Sequence, residues 1–158
     1  MLIIVCGLPG SGKTTLAKAL SKRLGAGHLS SDVLRRELFP NPTYSEDEKK
    51  AVYSGMALRA GKLLSEGRSV VADATFYKRW QREMFLRLPG EKKVVLCTLG
   101  EDQLRKRLAR RKAGRSVSDA DFEVYMKLKG QFEPIEGRYI EIDTATPLKA
   151  RVEKVLRG

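Results

Sequence analysis

Leu2-Ile3-Ile4-Val5-Cys6-Gly7-Leu8-Pro9-Gly10-Ser11-Gly12-Lys13-Thr14-Thr15 stands near the start of the chain and decides its fold. Five apolar residues in a row read as a strand buried on both faces. The eight that follow fit G-x-x-x-x-G-K-[ST], and an amphipathic helix pattern begins at Lys13. Glycines in the loop let the backbone wrap a phosphate chain with its N–H groups pointing inward, a path that a Cβ would obstruct. The helix beyond adds the positive end of its dipole. In such a loop Lys13 reaches the β- and γ-phosphates, and the Thr14 hydroxyl can ligate Mg²⁺. Gly7, Leu8, Pro9, Gly10, Ser11, Gly12 and Thr15 complete the set expected around the nucleotide. The competing reading is a chance glycine-rich turn. Filled fixed positions with a strand before and a helix after favour ATP or GTP.

Outward from this loop, strand and helix patterns alternate. The first helix spans about Lys13 to Leu24, and Gly27 to Ser30 is a short strand ending at Ser31-Asp32. A helical turn from Val33 to Phe39 stops at Pro40-Asn41-Pro42. Ser45 caps a long helix whose first turn is acidic, and Gly67 ends it near Ser65. Ser69 to Ala72 is a strand ending at Asp73, Tyr77 to Leu88 a helix, and Val94 to Cys97 a buried strand. Glu101 to Lys112 reads as a basic helix, Ala113 to Val117 as a break, and Ser118 to Gln131 as a second helix. Tyr139 to Ile142 is the last strand, and a terminal helix follows Pro147. Repeated β-α units imply an α/β fold with a parallel sheet, helices on both faces and right-handed crossovers.

Ligands of such sheets bind beyond the carboxyl ends of the strands, where the phosphate loop, Asp32 and Asp73 all fall. Asp73 suits a carboxylate that assists Mg²⁺ directly or through water; a turn or helix cap is the alternative. Asp32 suits a base that accepts the proton of an attacking hydroxyl, with Arg35 one helical turn away. An N-cap role is the alternative, and the two are compatible.

At 158 residues the chain is expected to be one domain, 1–158. No stretch approaches the length of a membrane span and no secretory signal is read at the start, so a cytoplasmic location is expected. Cys6 and Cys97 sit in apolar runs and read as buried thiols. His28 is the only histidine, which removes most support for His-based metal sites and Ser-His-Asp catalysis; it reads as an ordinary strand position. A net charge of +12 points to polyanionic partners or to a solvated, highly charged surface. Lys78-Arg79-Trp80-Gln81-Arg82, with Phe76 and Tyr77, is a candidate nucleic-acid groove with stacking rings. At helical spacing Trp80 and Met84 are more often core-facing, and base stacking is the weaker reading.

Gly7 to Thr14, then Ser31-Asp32-Val33-Leu34-Arg35, then Val70-Val71-Ala72-Asp73-Ala74-Thr75, together resemble the polynucleotide 5′-hydroxyl kinase and zeta-toxin-like branch of small ATP-dependent kinases. The resemblance covers nearly the whole chain. It implies a three-layer P-loop NTPase fold of the nucleoside-monophosphate-kinase type, with a mostly parallel five-stranded sheet and a helical lid at about 105–118. It implies that Asp32 is the general base and that Arg35 engages an acceptor phosphate. Arg107 and Arg111, on one face of the basic helix, match the lid arginines that close over the donor phosphates, and Arg115 is a possible third. Family members often carry x-T-N after the metal-site Asp, whereas here Thr75 is followed by Phe76. By family position the loop Asp143 to Thr146 lines the nucleobase pocket. The preferred expectation is a Mg²⁺- and ATP-dependent kinase acting on a polynucleotide 5′-hydroxyl, with no membrane or protein partner indicated. A small-molecule hydroxyl kinase is the competitor, and a nucleotide-dependent binding module or switch is the alternative of another class.

Overall fold

The computed structural model describes residues 1–111 and 119–158. The opening apolar run is strand β1 (Leu2–Cys6), and β2 (Gly27–Ser30), β3 (Val70–Asp73), β4 (Lys92–Thr98) and β5 (Ile140–Asp143) follow. The sheet has the order β2-β3-β1-β4-β5. Every pairing is parallel, where a mostly parallel sheet was expected. The helices are α1 (Lys13–Leu24), α2 (Ser31–Leu38), α3 (Glu46–Ser65), α4 (Arg79–Leu86), α5 (Glu101–Arg111), α6 (Asp119–Gln131) and α7 (Leu148–Arg157).

Alternation along the strands produces the three layers. Leu2, Ile4, Val70 and Ala72 pack with Leu34, Val52, Met56 and Phe85 of α2, α3 and α4. Ile3, Val5, Val71 and Val95 point the other way, onto Leu16 and Leu20 of α1 and Val155 of α7. Cys6 and Cys97 are free and buried, as expected, and burial pushes both thiols up to about 12.

Register sets the site. Val5 and Ser30 both pair with Asp73, so the phosphate loop, the start of α2 and the Asp73 carboxylate all stand at the carboxyl end of the strands. α2 begins at Ser31, two residues earlier than its apolar pattern suggested, which puts Asp32 inside its first turn. α4 is shorter than the expected Tyr77–Leu88, because Phe76 takes a left-handed backbone (φ 50) and Lys78 is extended. Ser45 caps α3 as expected, its Oγ accepting from the Glu48 N–H at 3.2 Å. No described helix is long and apolar enough to cross a membrane.

Candidate active site

The donor end is built from backbone. Gly12 holds the N-cap of α1 in the left-handed region (φ 85), and a Cβ there would stand 3.0 Å from Arg107 Nη1. At Gly7 a Cβ would lie 2.7 Å from the Cys97 carbonyl oxygen, so any side chain would force β4 aside. Lys13 Nζ donates to the Leu8 carbonyl at 3.0 Å and so lies across the loop. Thr14 and Thr15 are exposed beside it, and Gly10 and Ser11 are buried.

Thr144, fully buried in the loop after β5, clamps this structure. Its hydroxyl donates to the Ser11 carbonyl at 2.6 Å, and its N–H donates to the Thr98 carbonyl at 2.9 Å. Arg107 of α5 donates to the Thr144 hydroxyl at 3.1 Å and to its carbonyl at 2.6 Å. Arg107 is therefore held beside Gly12, against the expected nucleotide loop. The Arg111 side chain lies outside the described residues, as do Arg115, Ser118 and the remainder of the expected lid. The bases of α5 and α6 are joined by the Lys129–Glu101 ion pair and by Arg105, whose guanidinium lies 3.6 Å from the Phe122 ring centroid.

Asp73 is 2% exposed, and its Oδ2 accepts no hydrogen bond. His28 Nε2 approaches to 3.4 Å without the alignment of a hydrogen bond. An orphaned, buried carboxylate oxygen beside a phosphate loop is the donor chemistry that Mg²⁺ or its hydration water takes. The residues present fit the ion, and Thr14, expected from the sequence as a further ligand, is exposed beside Lys13.

A cleft of about 660 Å³ joins Pro9, Lys13, Asp32 and Asp73 to an acceptor end formed by Arg35, Thr43, Tyr44, Lys49 and residues of α6. Asp32 is exposed at its wall. Arg35 is buried, and its Nη1 pairs with Glu48 Oε1 at 2.5 Å while its Nε has no hydrogen-bond partner. Glu48 Oε2 also accepts from the Thr43 N–H at 2.7 Å and its hydroxyl at 3.0 Å. Burial pushes the Glu48 carboxyl up, but bonds from Thr43, Arg35 and Tyr44 outweigh this and hold it below its ordinary value.

The proposed nucleic-acid groove at 78–82 is corrected. Arg82 is 3% exposed and donates to the carbonyls of Phe76, Glu133 and Pro134. Lys78 pairs with Glu133 and Arg79 with Glu136. Phe76 is fully buried and Trp80 packs edge-on against Tyr53, so these rings serve the core. Phe76 holds a positive φ, a conformation in which Asn is more at ease than a bulky residue. Its N–H donates to the Tyr53 hydroxyl at 3.1 Å and its ring meets Phe85 edge-on, which keeps the conformation in place.

The family resemblance places the loop Pro40 to Tyr44 and the long helix after it on the acceptor side, but Glu48, Thr43, Tyr44 and Lys127 were not singled out one by one from sequence. Glu48 reads there as one of three acids in a first turn, and only its pairing with Arg35, thirteen residues away, separates it from Glu46 and Asp47. His28, read as an ordinary strand position, proves to be a neighbour of Asp73.

A family model described as AAA domain matches residues 2–135. The chain belongs to this family. Relatives of the AAA domain include an uncharacterized protein of Mycobacterium tuberculosis (strain H37Rv), 29% identical over 96% of this chain and 33% of its own length. The chain thus spans about one third of that protein. An adenylate kinase of Elusimicrobium minutum is 29% identical over 71% of this chain and 59% of its own. Among solved structures, a gluconokinase from Sinorhizobium meliloti superposes with a TM-score of 0.75 at 22% identity, covering 98% of this chain and 89% of that one. The Mycobacterium tuberculosis APS kinase gives 0.71 at 16% identity, covering 99% and 95%. These neighbours share the three-layer α/β P-loop kinase fold, and the chain is a P-loop kinase-like domain.

Proposed function

We propose that the domain transfers the γ-phosphoryl group of ATP to a hydroxyl of an acceptor that enters the cleft as one small unit. The observation that carries this reading is the convergence of Lys13, Asp32 and Asp73 on one cleft of about 660 Å³, a volume typical of small-ligand sites. Phosphoryl transfer asks a protein for positioning and electrostatic stabilisation more than for covalent chemistry. In this reading the loop from Gly7 to Thr15 and the Lys13 ammonium hold the donor phosphates. Thr14 and Asp73 hold Mg²⁺, which when bound neutralises phosphate charge. Asp32 receives the proton of the acceptor hydroxyl as its oxygen bonds to the γ-phosphorus and the bond to ADP breaks. Arg107, already beside Gly12, and Arg111 on the same helix face donate to the transferring group. Arg35 acts as a positioning residue through Glu48.

A free small hydroxyl compound is the first acceptor class. The dimensions of the cleft support it, as does the company of sugar and APS kinases in fold. A polynucleotide 5′-hydroxyl is the second reading, favoured by the D-x-x-R spacing of Asp32 and Arg35 and by the net charge of +12; only its terminal residue would enter the cleft. The test is γ-labelled ATP and Mg²⁺ against nucleosides, sugar acids and 5′-hydroxyl oligonucleotides. Label on one class supports hydroxyl transfer and names the acceptor. ATP hydrolysis with no label on any acceptor would point to a nucleotide-dependent switch.

A further inference from the structure

Tyr44 lines the acceptor end of the cleft with its ring 60% exposed. Its backbone is left-handed (φ 58), a conformation that among described non-glycine residues only Phe76 shares. A bulky residue stays in that region only where its surroundings over-determine it, and here they do. The neighbouring Thr43 is tied to Glu48 through both N–H and hydroxyl. Glu48 is fixed in turn by Arg35, whose guanidinium carbon stands 4.7 Å from the Tyr44 ring centroid. The chain thus fixes the backbone that carries a large aromatic ring, with a cation on one face and much of the side chain uncovered. A loop that only connects two helices needs no such ring.

The cation beneath the ring says what suits the other face. Arg35 draws on the negative face of the ring, which weakens its pull on the C–H bonds of a saturated sugar. Stacking against an electron-rich planar ring is favoured instead. Val124 (51% exposed) and Leu128 of α6 add apolar surface to the same cleft, and Lys127 adds an exposed cation. We infer that Tyr44 selects the acceptor by stacking on a nucleobase, so that the hydroxyl to be phosphorylated belongs to a nucleoside or to the terminal nucleotide of a strand. This rests on the hydroxyl-kinase reading above and names its acceptor.

The experiment measures binding of three probes by calorimetry: adenosine, a 5′-hydroxyl dinucleotide and gluconate. The protein is first saturated with a non-hydrolysable ATP analogue, so that the donor site is closed to them. Wild type is compared with Tyr44→Phe and Tyr44→Asn; asparagine accepts a left-handed backbone without the ring. The expected result is a dissociation constant for adenosine or dinucleotide about tenfold or more higher in Tyr44→Asn, the scale of one lost base–aromatic stack. Tyr44→Phe should match wild type, and the Tm of Tyr44→Asn should equal or exceed it, which a merely structural tyrosine would not allow. Tighter binding of the dinucleotide than of adenosine assigns the acceptor to a strand end, and the reverse to a free nucleoside. Equal affinity of wild type and Tyr44→Asn for the base-bearing probes overturns the inference, as does failure of both to bind wild type. Binding is read without turnover. A protein that stacks nucleosides but labels no acceptor therefore removes the kinase reading alone.

Discussion

At the donor end of the cleft most of the structure is backbone from the single run Gly7 to Thr15, braced by the Thr144 and Arg107 side chains. At the acceptor end it is made by side chains drawn from α2, the loop before α3, α3 itself and α6. The donor loop tolerates no Cβ at Gly7 and needs few particular side chains beyond Lys13 and Thr14. The acceptor wall is a relay, Arg35 to Glu48 to Thr43 and Tyr44, in which each side chain positions the next. A phosphate chain is the same in every nucleoside triphosphate, so a fixed backbone cradle suffices for it. An acceptor is particular, and particular shapes are met by side chains.

This contrast is broken most forcefully at Lys13. Lys13→Ala should lower kcat about 10²–10³-fold, the scale of losing one preorganised charge contact to the reacting group. Acceptor affinity should remain, because Lys13 stands on the donor loop whereas Arg35, Thr43, Tyr44 and Glu48 come from α2, the loop before α3 and α3. Steady-state kinetics and acceptor binding together check this.

Thr144→Val tests whether the donor loop depends on its buried clamp. The Ser11 carbonyl would lose the 2.6 Å bond it accepts, at about 1–3 kcal/mol for a buried acceptor left unsatisfied. Lower stability by denaturant titration is expected, with a raised KM for ATP and an unchanged KM for acceptor. A rise confined to the acceptor KM would erase the division between the two ends.

The division also explains what could be read from the sequence. β1, the phosphate loop and α1 were legible because strand, glycines, lysine and helix are contiguous and each is demanded by the same phosphate chemistry. The order of strands and helices followed from apolar periodicity, and the bounds of α1 and β2 coincide with those expected. That Asp32 and Asp73 would meet in one cleft was legible because both fall at the carboxyl ends of parallel strands, where ligands of such sheets bind. The relay through Glu48 was not, because its partner lies thirteen residues away across a loop whose path no local pattern fixes. The basic stretch 78–82 misled for a similar reason. Its arginines and lysine look solvent-bound in sequence, and the partners that bind them, Glu133, Pro134 and Glu136, arrive from beyond α6.

The smallest expected effect concerns pH. Glu48 is held below its ordinary value in the folded protein, so its contribution to stability is complete above the ordinary carboxylate value of about 4.3. That contribution is lost as pH falls through the depressed folded value, where the folded protein too takes up the proton. Glu48→Gln should therefore lower Tm at pH 7 and converge on wild type in acid. A Tm difference that persists unchanged to the lowest pH at which both variants fold would remove the charged Glu48 from the relay.

The most direct test of the account is transfer and ATP affinity measured side by side in wild type and Asp32→Ala. Loss of the base should slow label transfer to the acceptor about 10²–10⁴-fold, while the dissociation constant for ATP stays within about twofold, because the donor loop is built independently of α2. Transfer at the wild-type rate by Asp32→Ala would contradict the account, since no base-catalysed hydroxyl attack would then be taking place at this wall of the cleft.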